Sequence, residues 1–254
     1  MGNAALSQAV ASAIAQAPGF GPGGAIVCSV AEYDDIPALD AANGEAVATL
    51  PYPGMFMRQG PDFFANLFDA GGIAIALSTG GRLIGYSVAA PAGPKQPLFS
   101  GRMPQGITPD DVGLLHGTVV LPPYRGMGLQ EEMIDLRVAG LERLGRTLAQ
   151  VPVAPRNRYS LNNLLLHGFK IIDLKVLLEG KHRFVMARPT KPVPQPPDLP
   201  ANADVEQIAL ADTDGHLDML SRGFRAYTVI EIDGAPALAW QAPDAATREI
   251  AGAA

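Results

Sequence analysis

The chain has 254 residues, 48% of them hydrophobic and 17% charged, with a formal net charge of −6 at pH 7. This composition predicts a globular protein with a substantial core, and an acidic chain without a basic run excludes nucleic acid as an expected partner. The single cysteine, Cys28, excludes an intrachain disulfide and favours a cytoplasmic location. We interpret Cys28 as a small packed hydrophobic residue.

Residues 1–24 are rich in alanine and contain no Lys or Arg. A signal peptide needs a positively charged start, and a membrane span needs a denser apolar run than this segment has. We therefore expect a short amphipathic or disordered arm and no membrane partner.

The next segments alternate between strand-like and helix-like patterns. Residues 25–30 read as a first strand, 35–42 as a weak helix ending near Gly44, and 63–68 as a short helix with one apolar face. Between the helices, residues 48–60 form a proline-broken loop that carries Met55, Phe56 and Met57. Two interpretations stay open for this loop, because its apolar residues either line a cavity or fold over the core.

Residues 72–78 and 82–90 are apolar runs joined by Thr79-Gly80-Gly81, which predicts a β-hairpin. A Pro/Gly-rich loop follows and leads to the most informative stretch, residues 112–144. There an apolar run of strand length is stopped by Pro122 and Pro123 and followed by a glycine turn. The spacing then becomes helical on two faces, so this helix is expected to be packed on most sides.

A glycine turn between a strand and a helix exposes backbone N–H groups at the positive end of the helix dipole, which suits a phosphate or pyrophosphate. Arg125 adds a positive charge there. The dinucleotide fingerprint requires a glycine where this chain has Glu131, and a P-loop requires Gly-Lys-Ser/Thr, so both of these phosphate motifs are excluded.

The run VLPPYRGMGL at residues 120–129 resembles the turn of the GNAT acetyltransferase superfamily, Arg/Gln-x-x-Gly-x-Gly/Ala. One position departs, because Gln130 stands where that family usually has Gly or Ala; its side chain either narrows the pyrophosphate seat or donates a hydrogen bond to it. A second run, NRYSLNNLLLHGF at residues 157–169, is similar to the family's other signature, an Asn-initiated helix that ends in Gly-Phe. Asn157 as N-cap and Gly168 as C′ residue support that helix independently.

The resemblance implies an α/β, GNAT-like acyl-CoA N-acyltransferase fold: a mixed central sheet with splayed parallel strands flanked by helices. Residues 147–153 would be the second parallel strand, reached by a right-handed crossover. The two helices after the first strand would wall the acceptor site, and acetyl-CoA would be the co-substrate. The implied coenzyme contacts are Thr118, Val119, Val120, Arg125, Gly126, Met127, Gly128, Leu129, Gln130, Asn157, Arg158 and Ser160.

Acetyl transfer to an amine requires a base, and the departing thiolate is helped by an acid. His116 lies in the central strand where some GNAT enzymes, the arylalkylamine acetyltransferases among them, place a histidine used in deprotonation, and the ordinary pKa of histidine suits that task. A half-buried structural histidine is an equal alternative. The family often has a tyrosine where this chain has Leu164, so either Tyr159 or Ser160 is the acid or the thiolate leaves to solvent.

Residues 170–178 and 182–187 predict a closing hairpin, so the acetyltransferase-like domain would span residues 25–188. A proline-rich linker at 189–202 follows. In the extension at 203–254, the run LSRGFR at 220–225 echoes LLHGFK at 165–170. Two interpretations stay open: a small α+β extension that is a degenerate copy of the strand–helix–hairpin half of the fold, or a generic hairpin appendage. Either form would extend the sheet or serve a homodimer contact.

Arg156 and Arg158 join Arg125 as arginines near the expected phosphate path. The histidines show no metal-ligand spacing, so no metal is expected. The leading hypothesis is an acetyl-CoA-dependent N-acetyltransferase acting on the primary amine of a small, partly apolar acceptor by direct attack in a ternary complex. The alternative is an acyl-CoA-binding GNAT-like regulatory or scaffolding module with little catalysis, and protein amines also stay open as acceptors.

Overall fold

A computed structural model describes residues 2–16, 26–52, 54–177, 180–191 and 205–242. The chain divides into two compact units. The first comprises Met1–Val151 and Pro189–Pro192, and the second comprises Pro152–Arg188 and Val193–Ala254. Most of the predicted linker lies outside the described residues.

The first unit contains a sheet whose strands lie in the order β1-β2-β3-β4-β5. The first four strands pair antiparallel, whereas β4 and β5 are parallel neighbours joined by α4. This confirms the predicted mixed sheet with two parallel strands connected through a helix. The elements are α1 Gly2–Ile14, β1 Val27–Ala31, α2 Ile36–Ala48, α3 Pro61–Asp69, β2 Ile73–Thr79, β3 Arg82–Pro91, β4 Val112–Val120, α4 Leu129–Arg143 and β5 Leu148–Val153, which continues into the second unit.

Helices α2 and α3 cover one face of this sheet. Their apolar residues form a single cluster with residues of β2, β3 and β4, including Phe64, Leu67, Tyr86 and Val119. Helix α4 covers the other face, where a Cβ built on Gly113 of β4 would lie 2.4 Å from Leu141. The sheet is therefore buried on both sides, as expected for parallel strands linked by a helix.

Helix α1 packs closely on α4 where Val10 lies against Gly140. Leu6 and Val10 are fully buried, and a Cβ built on Gly140 of α4 would lie 2.2 Å from Val10. Arg143 adds hydrogen bonds to the carbonyl of Ala9 and to the side chain of Gln16. The segment predicted as an amphipathic or disordered arm thus includes a helix that is packed along one side.

The second unit begins with the end of β5 and continues through a helix and a hairpin. The extension after it forms a three-stranded antiparallel sheet in the order β8-β10-β9, and β9 contacts α5 and β6. This matches the predicted small α+β extension. The elements are α5 Arg158–Leu166, β6 Lys170–Leu177, β7 Lys181–Pro189, β8 Val205–Ala209, α6 Thr213–Ser221, β9 Arg225–Ile232 and β10 Ala235–Gln241.

The two halves of this unit share their element order and their helix ends. Helices α5 and α6 are both nine residues long, and each has a side-chain cap that accepts from the backbone N–H three residues on. Each is followed by a left-handed glycine and a phenylalanine whose N–H closes the helix end. The matched residues are Asn157 and Asp212 at the caps, Gly168 and Gly223 at the left-handed positions, and Phe169 and Phe224 after them.

Candidate functional site

The turn between β4 and α4 places two left-handed glycines directly before a helix. Gly126 and Gly128 have φ values of 78° and 75°, a region that residues with a Cβ rarely adopt. A Cβ built on either residue would meet nothing within 4 Å. The turn thus requires glycine for its backbone conformation, while the space around it is open.

The first turn of α4 offers backbone donors to this open space. Gly128 is the N-cap, and its carbonyl accepts from the N–H groups of Glu131 at 3.0 Å and Glu132 at 3.2 Å. Gly128 has no side chain, so no side chain at the N-cap position accepts from the first N–H groups of the helix. The helix dipole makes this end suitable for a phosphate, although the carboxylates of Glu131 and Glu132 oppose an anion that approaches them closely.

Arg125 lies beside the turn and is held by two hydrogen bonds. Its Nε donates to the carbonyl of Val120 at 3.0 Å, and its Nη2 donates to Oγ1 of Thr49 at 3.0 Å. A guanidinium has five N–H donors, so these bonds leave three for an anion. The carbonyl of Val120, predicted from the resemblance to face the coenzyme, therefore already accepts one bond from within the chain.

Strand β4 separates from β5 well before it ends. The parallel pairing covers three positions and stops where Leu114 lies opposite Gln150. Beyond Leu114, β4 continues to Val120 with β3 on its other side. Within the described residues of this unit, the edge that includes Thr118 and Val119 thus lies beyond the last pair with β5, as the predicted splayed strands require.

A β-bulge interrupts the pairing of β3 and β4 at His116 and Gly117. The register shows it, because the pairs on either side are Ala89↔Leu115 and Ser87↔Thr118. Both bulge positions turn toward the face that carries α3. The ring of His116 lies edge-on to Phe63 of α3, with 6.0 Å between ring centroids, and a Cβ on Gly117 would lie 2.3 Å from the ring of Phe56.

The imidazole of His116 lies between two aromatic rings. The ring of Phe99 also lies edge-on to it, with 5.3 Å between ring centroids. The Nε2 atom of His116 is inaccessible to water and has no hydrogen-bond partner among the described residues. Burial, with a smaller contribution from the charge of Arg137, lowers the pKa of His116 to about 4. The expectation of an ordinary pKa at this position was wrong, because it ignored burial; the catalytic role stays a prediction.

Phe99 is positioned by a fully buried side chain of β5. Gln150 accepts from the N–H of Ser100 at 3.3 Å through Oε1 and donates to the carbonyl of Ser100 at 3.0 Å through Nε2. An amide that bonds both backbone groups of one residue fixes the orientation of that segment. Ser100, the residue that follows Phe99, is therefore held against β5, the strand beside β4.

A buried polar network holds the loop that contains Phe56, and the sequence did not reveal it. Asn43 of α2 donates to the hydroxyl of Tyr86 at 2.6 Å, and that hydroxyl donates to Oε1 of Gln59 at 2.8 Å. Oδ1 of Asn43 accepts from the N–H of Gln59 and from Arg58, both at 3.1 Å. Of the two interpretations of this loop, the buried Met55 fits the fold-over interpretation, whereas Phe56 covers the bulge.

A second buried polar residue that the sequence analysis missed is Arg137, in the middle of α4. It lies in a helix whose apolar residues occupy two faces, and a charged residue inside such a pattern is the signal that was available. Its guanidinium reaches the bulge from the face opposite to Phe56 and Phe63.

The predicted contacts at the start of α5 belong to the second unit. Oδ1 of Asn157 accepts from the N–H of Ser160 at 3.2 Å, which confirms the N-cap. Arg158 donates to the hydroxyl of Tyr159 at 2.9 Å and lies 4.0 Å from a carboxylate oxygen of Glu231 in the extension. Tyr159 is 64% exposed. Arg158 is therefore already engaged by an acidic residue, and its grouping with Arg125 and Arg156 stays a prediction.

Comparison with family models and with curated protein sequences finds no match. Comparison with solved structures does. The yncA protein of Salmonella typhimurium, solved with its cofactor acetyl-CoA, has a TM-score of 0.50 and 14% identity, over 68% of this chain and 99% of that one. An N-acetyltransferase from Staphylococcus aureus Mu50 also has a TM-score of 0.50, with 12% identity over 65% of this chain and 99% of that one.

The chain has the GNAT acetyltransferase fold. A ribosomal-protein-S5-alanine acetyltransferase from Vibrio fischeri gives the same TM-score of 0.50, at 12% identity over 67% of this chain and 96% of that one. Nearly the whole length of each of these proteins is matched, whereas about a third of this chain lies outside each match. At such identities the likeness establishes the GNAT fold alone.

Two further findings concern metal sites and membrane spans. The described residues contain no group of three or more His, Cys, Asp or Glu side chains placed to hold a metal ion. Among the described helices, none has the length and apolar character needed to cross a membrane.

Proposed function

We propose that this protein is a member of the GNAT superfamily that transfers an acetyl group from acetyl-CoA to the primary amine of a small, partly apolar acceptor, by direct attack in a ternary complex. The observation that carries the proposal is the path of β4. This strand leaves β5 after Leu114 and runs through two left-handed glycines into the uncapped start of α4. A strand edge followed by an anion seat suits a long co-substrate with a diphosphate.

The residues of this path have distinct roles in the proposal. Acetyl-CoA supplies an activated thioester when bound. The backbone at 118–120 provides strand-like hydrogen-bonding groups, and the N–H groups of residues 126–130 and the guanidinium of Arg125 balance the phosphate charge. Asn157, Arg158 and Ser160 are assigned to the coenzyme by the resemblance alone.

The acceptor side is proposed to be the aromatic face of the bulge, defined by Phe56, Phe63 and Phe99 around His116. An apolar environment lowers the pKa of an amine, so the neutral form that attacks a thioester is favoured there. His116 is itself uncharged at neutral pH. Its Nε2 is closed off from water by the surrounding rings, so it accepts a hydrogen bond from the amine and orients it once acceptor binding moves those rings aside. A base with a pKa of about 4 draws the proton only weakly, so the proton is passed on to water.

A second candidate function is an acyl-CoA-binding module with little catalysis. The low pKa of His116 favours it, and so does Leu164, a buried leucine where the GNAT family often has a tyrosine. Tyr159 and Ser160 are the remaining candidates for the acid. A homodimer contact through the extension and a cytoplasmic location remain predictions.

The test measures acetyl-CoA binding and thiol release with a panel of amines that differ in apolar character. The informative variant is Gly128→Ala, and its matched control is Gly145→Ala. Both glycines have a φ of 75° and open space around a built Cβ, so both substitutions carry a similar strain, about 1–2 kcal/mol. Only Gly128 lies at the N-terminal end of α4.

We expect wild-type protein to release thiol with apolar primary amines, and Gly128→Ala to weaken acetyl-CoA binding about tenfold, or 1.4 kcal/mol. Gly145→Ala should leave that affinity unchanged. Affinity for acetylpantetheine, which lacks the diphosphate, should be the same in both variants. Binding without turnover on any amine would support the second candidate, and equal acetyl-CoA affinity in the two variants would refute the assigned phosphate seat.

A further inference from the structure

Arg137 is a charged residue in a place where charges are rarely found. It lies in the middle of α4, 1% exposed, and no carboxylate among the described residues forms an ion pair with it. Burying an unpaired charge is costly unless the group is well hydrogen-bonded. Burial lowers the pKa of Arg137 to about 9, which leaves the guanidinium charged at neutral pH. The groups that accept its hydrogen bonds therefore indicate which part of the structure this charge stabilises.

The guanidinium bonds three carbonyl oxygens. Nε donates to Met133, one turn earlier in α4, at 3.0 Å. Nη1 donates to both Val88 of β3 and His116 of β4, each at 3.3 Å. A bulge interrupts the ladder between two strands and leaves backbone groups without their usual partners. One nitrogen of Arg137 bridges the two strands at the bulge.

We propose that Arg137 is a positioning residue for the acetyl-transfer site, which holds the His116–Gly117 peptide from the opposite face of the sheet. The proposal rests on the proposed function, because it assigns a purpose to the bulge within that reaction. Arg137 contacts the peptide and not the acceptor or the thioester. Its effect on the reaction is therefore indirect.

The geometry of the peptide gives the first consequence. In a trans peptide, the carbonyl of His116 and the N–H of Gly117 point in opposite directions. A guanidinium bonded to the carbonyl therefore holds the N–H of Gly117 pointing away from α4. A hydrogen bond from a charged donor also polarises the peptide and strengthens its N–H as a donor.

The charge gives the second consequence. The groups that face His116 from its neighbouring elements are Phe63 of α3, Phe99 of the loop before β4, and the backbone of Val88 in β3, none of which carries a charge. Arg137 of α4 is the charged residue that acts on it. A buried cation disfavours a second one nearby, so Arg137 adds to the larger effect of burial in keeping the imidazole neutral and able to accept a hydrogen bond.

Two substitutions separate the charge from the bridge. Arg137→Met keeps much of the apolar stem and removes both the charge and the hydrogen bonds. Arg137→Lys keeps the charge, but its single ammonium replaces the planar fork that bridges the carbonyls. The control is Arg143→Met, on the same helix, which loses exposed hydrogen bonds to Ala9 and Gln16 instead.

The first readout is the pKa of His116 by NMR titration of its imidazole, assigned with His116→Gln. We expect Arg137→Met to raise this pKa by about one unit and Arg137→Lys to leave it near its wild-type value. Arg143→Met should not change it. A folded Arg137→Met protein with an unchanged His116 titration would overturn the electrostatic part of the proposal. This measurement needs no turnover. It therefore tests the effect of Arg137 on His116 even if the wild-type protein acetylates no amine and the proposed function fails.

The second readout is amine kinetics at saturating acetyl-CoA. We expect kcat to fall at least tenfold in Arg137→Lys, with the Kd for acetyl-CoA within twofold of wild type, because the bulge and not the coenzyme seat is disturbed. A wild-type kcat in Arg137→Lys would overturn the bridging role. If Arg137→Met does not fold, the kinetics of Arg137→Lys still test the bridging role, because the lysine ammonium retains N–H donors for the buried carbonyl oxygens.

Discussion

Strand β4 meets two different environments on its two faces. On the α4 face, Gly113 lies against the branched carbon of Leu141, and the packing continues through α4 to α1. On the α3 face, the bulge turns His116 and Gly117 toward the rings of Phe56, Phe63 and Phe99. Helix α4 packs directly on the first face, whereas loops that carry Phe56 and Phe99 cover part of the second face. The same small substitution should therefore cost stability on one face and alter binding on the other.

The largest effect is expected from Gly113→Ala. The new Cβ would lie 2.4 Å from both methyl carbons of Leu141 and 2.8 Å from its Cγ, so rotating the methyl groups away does not relieve the clash. Overpacking of this kind costs about 3 kcal/mol at its upper end. The check is the free energy of unfolding from urea titration. Gly93→Ala, where a Cβ meets nothing within 4 Å, is the control, and equal stability of the two variants would contradict a rigid α4 face.

A smaller loss is expected from Gly140→Ala, because only one methyl of Val10 lies within 3 Å of the new Cβ. Alanine is the better helix former by about 1 kcal/mol, so the net loss should be about 1 kcal/mol. Its sign should reverse in a Val10→Ala background, where the new methyl fills the space that was vacated. A double-mutant cycle measured by thermal unfolding tests this, and a destabilising effect in both backgrounds would refute the α1–α4 contact.

The α3 face should make stability depend on pH. Burial lowers the folded-state pKa of His116 to about 4 from an ordinary 6.5, so the unfolded chain binds the proton more readily between those values. Stability is therefore full above pH 6.5 and is lost as the pH falls toward 4, by at most about 1.4 kcal/mol per pH unit for this residue. His116→Gln should make the decline shallower, as measured by denaturation at several pH values. A parallel decline in wild type and variant would show that His116 is not buried in solution.

The smallest change in stability is expected from Gly117→Ala, at about 1 kcal/mol or less, because the new Cβ meets the far end of the Phe56 side chain, which is able to rotate aside, and approaches Gln59 only to 3.0 Å. Moving that ring should instead raise KM for the amine about tenfold, as expected for about 1.4 kcal/mol of lost binding, while acetyl-CoA affinity stays unchanged. Amine kinetics and coenzyme titration on the same preparation provide the measurement. A loss of stability as large as that of Gly113→Ala would remove the distinction between the two faces.

The sequence predicted best those features that depend on neighbouring residues. The turn at 125–128 and the cap at Asn157 were both read correctly, because glycine conformation and side-chain capping are local effects. Gly44 was wrongly expected to end a helix. Helix α2 continues to Ala48, since one glycine costs only about 1 kcal/mol in a helix that is packed on the core.

Features that depend on distant partners were not predictable in this way. The bulge exists only in the register between β3 and β4, and the network around Asn43 joins three separate elements. The pKa of His116 depends on which residues bury it, and strand spacing alone does not contain that information. The glycine turn and the strand that contains His116 were therefore predicted from the sequence, but the burial that lowers the pKa of this histidine was not.

The packing of α1 on α4 has a consequence for how the chain is made. Val10 and Gly140 lie about 130 residues apart, so at about 5–20 residues per second the ribosome releases α1 many seconds before its partner exists. During that interval the apolar side of α1, with Leu6 and Val10, lacks its main contact, although β1 and β2, which α1 also contacts, are already made. Contacts so distant along the chain close slowly. Helix α1 should therefore reach its full packing only after α4 has emerged.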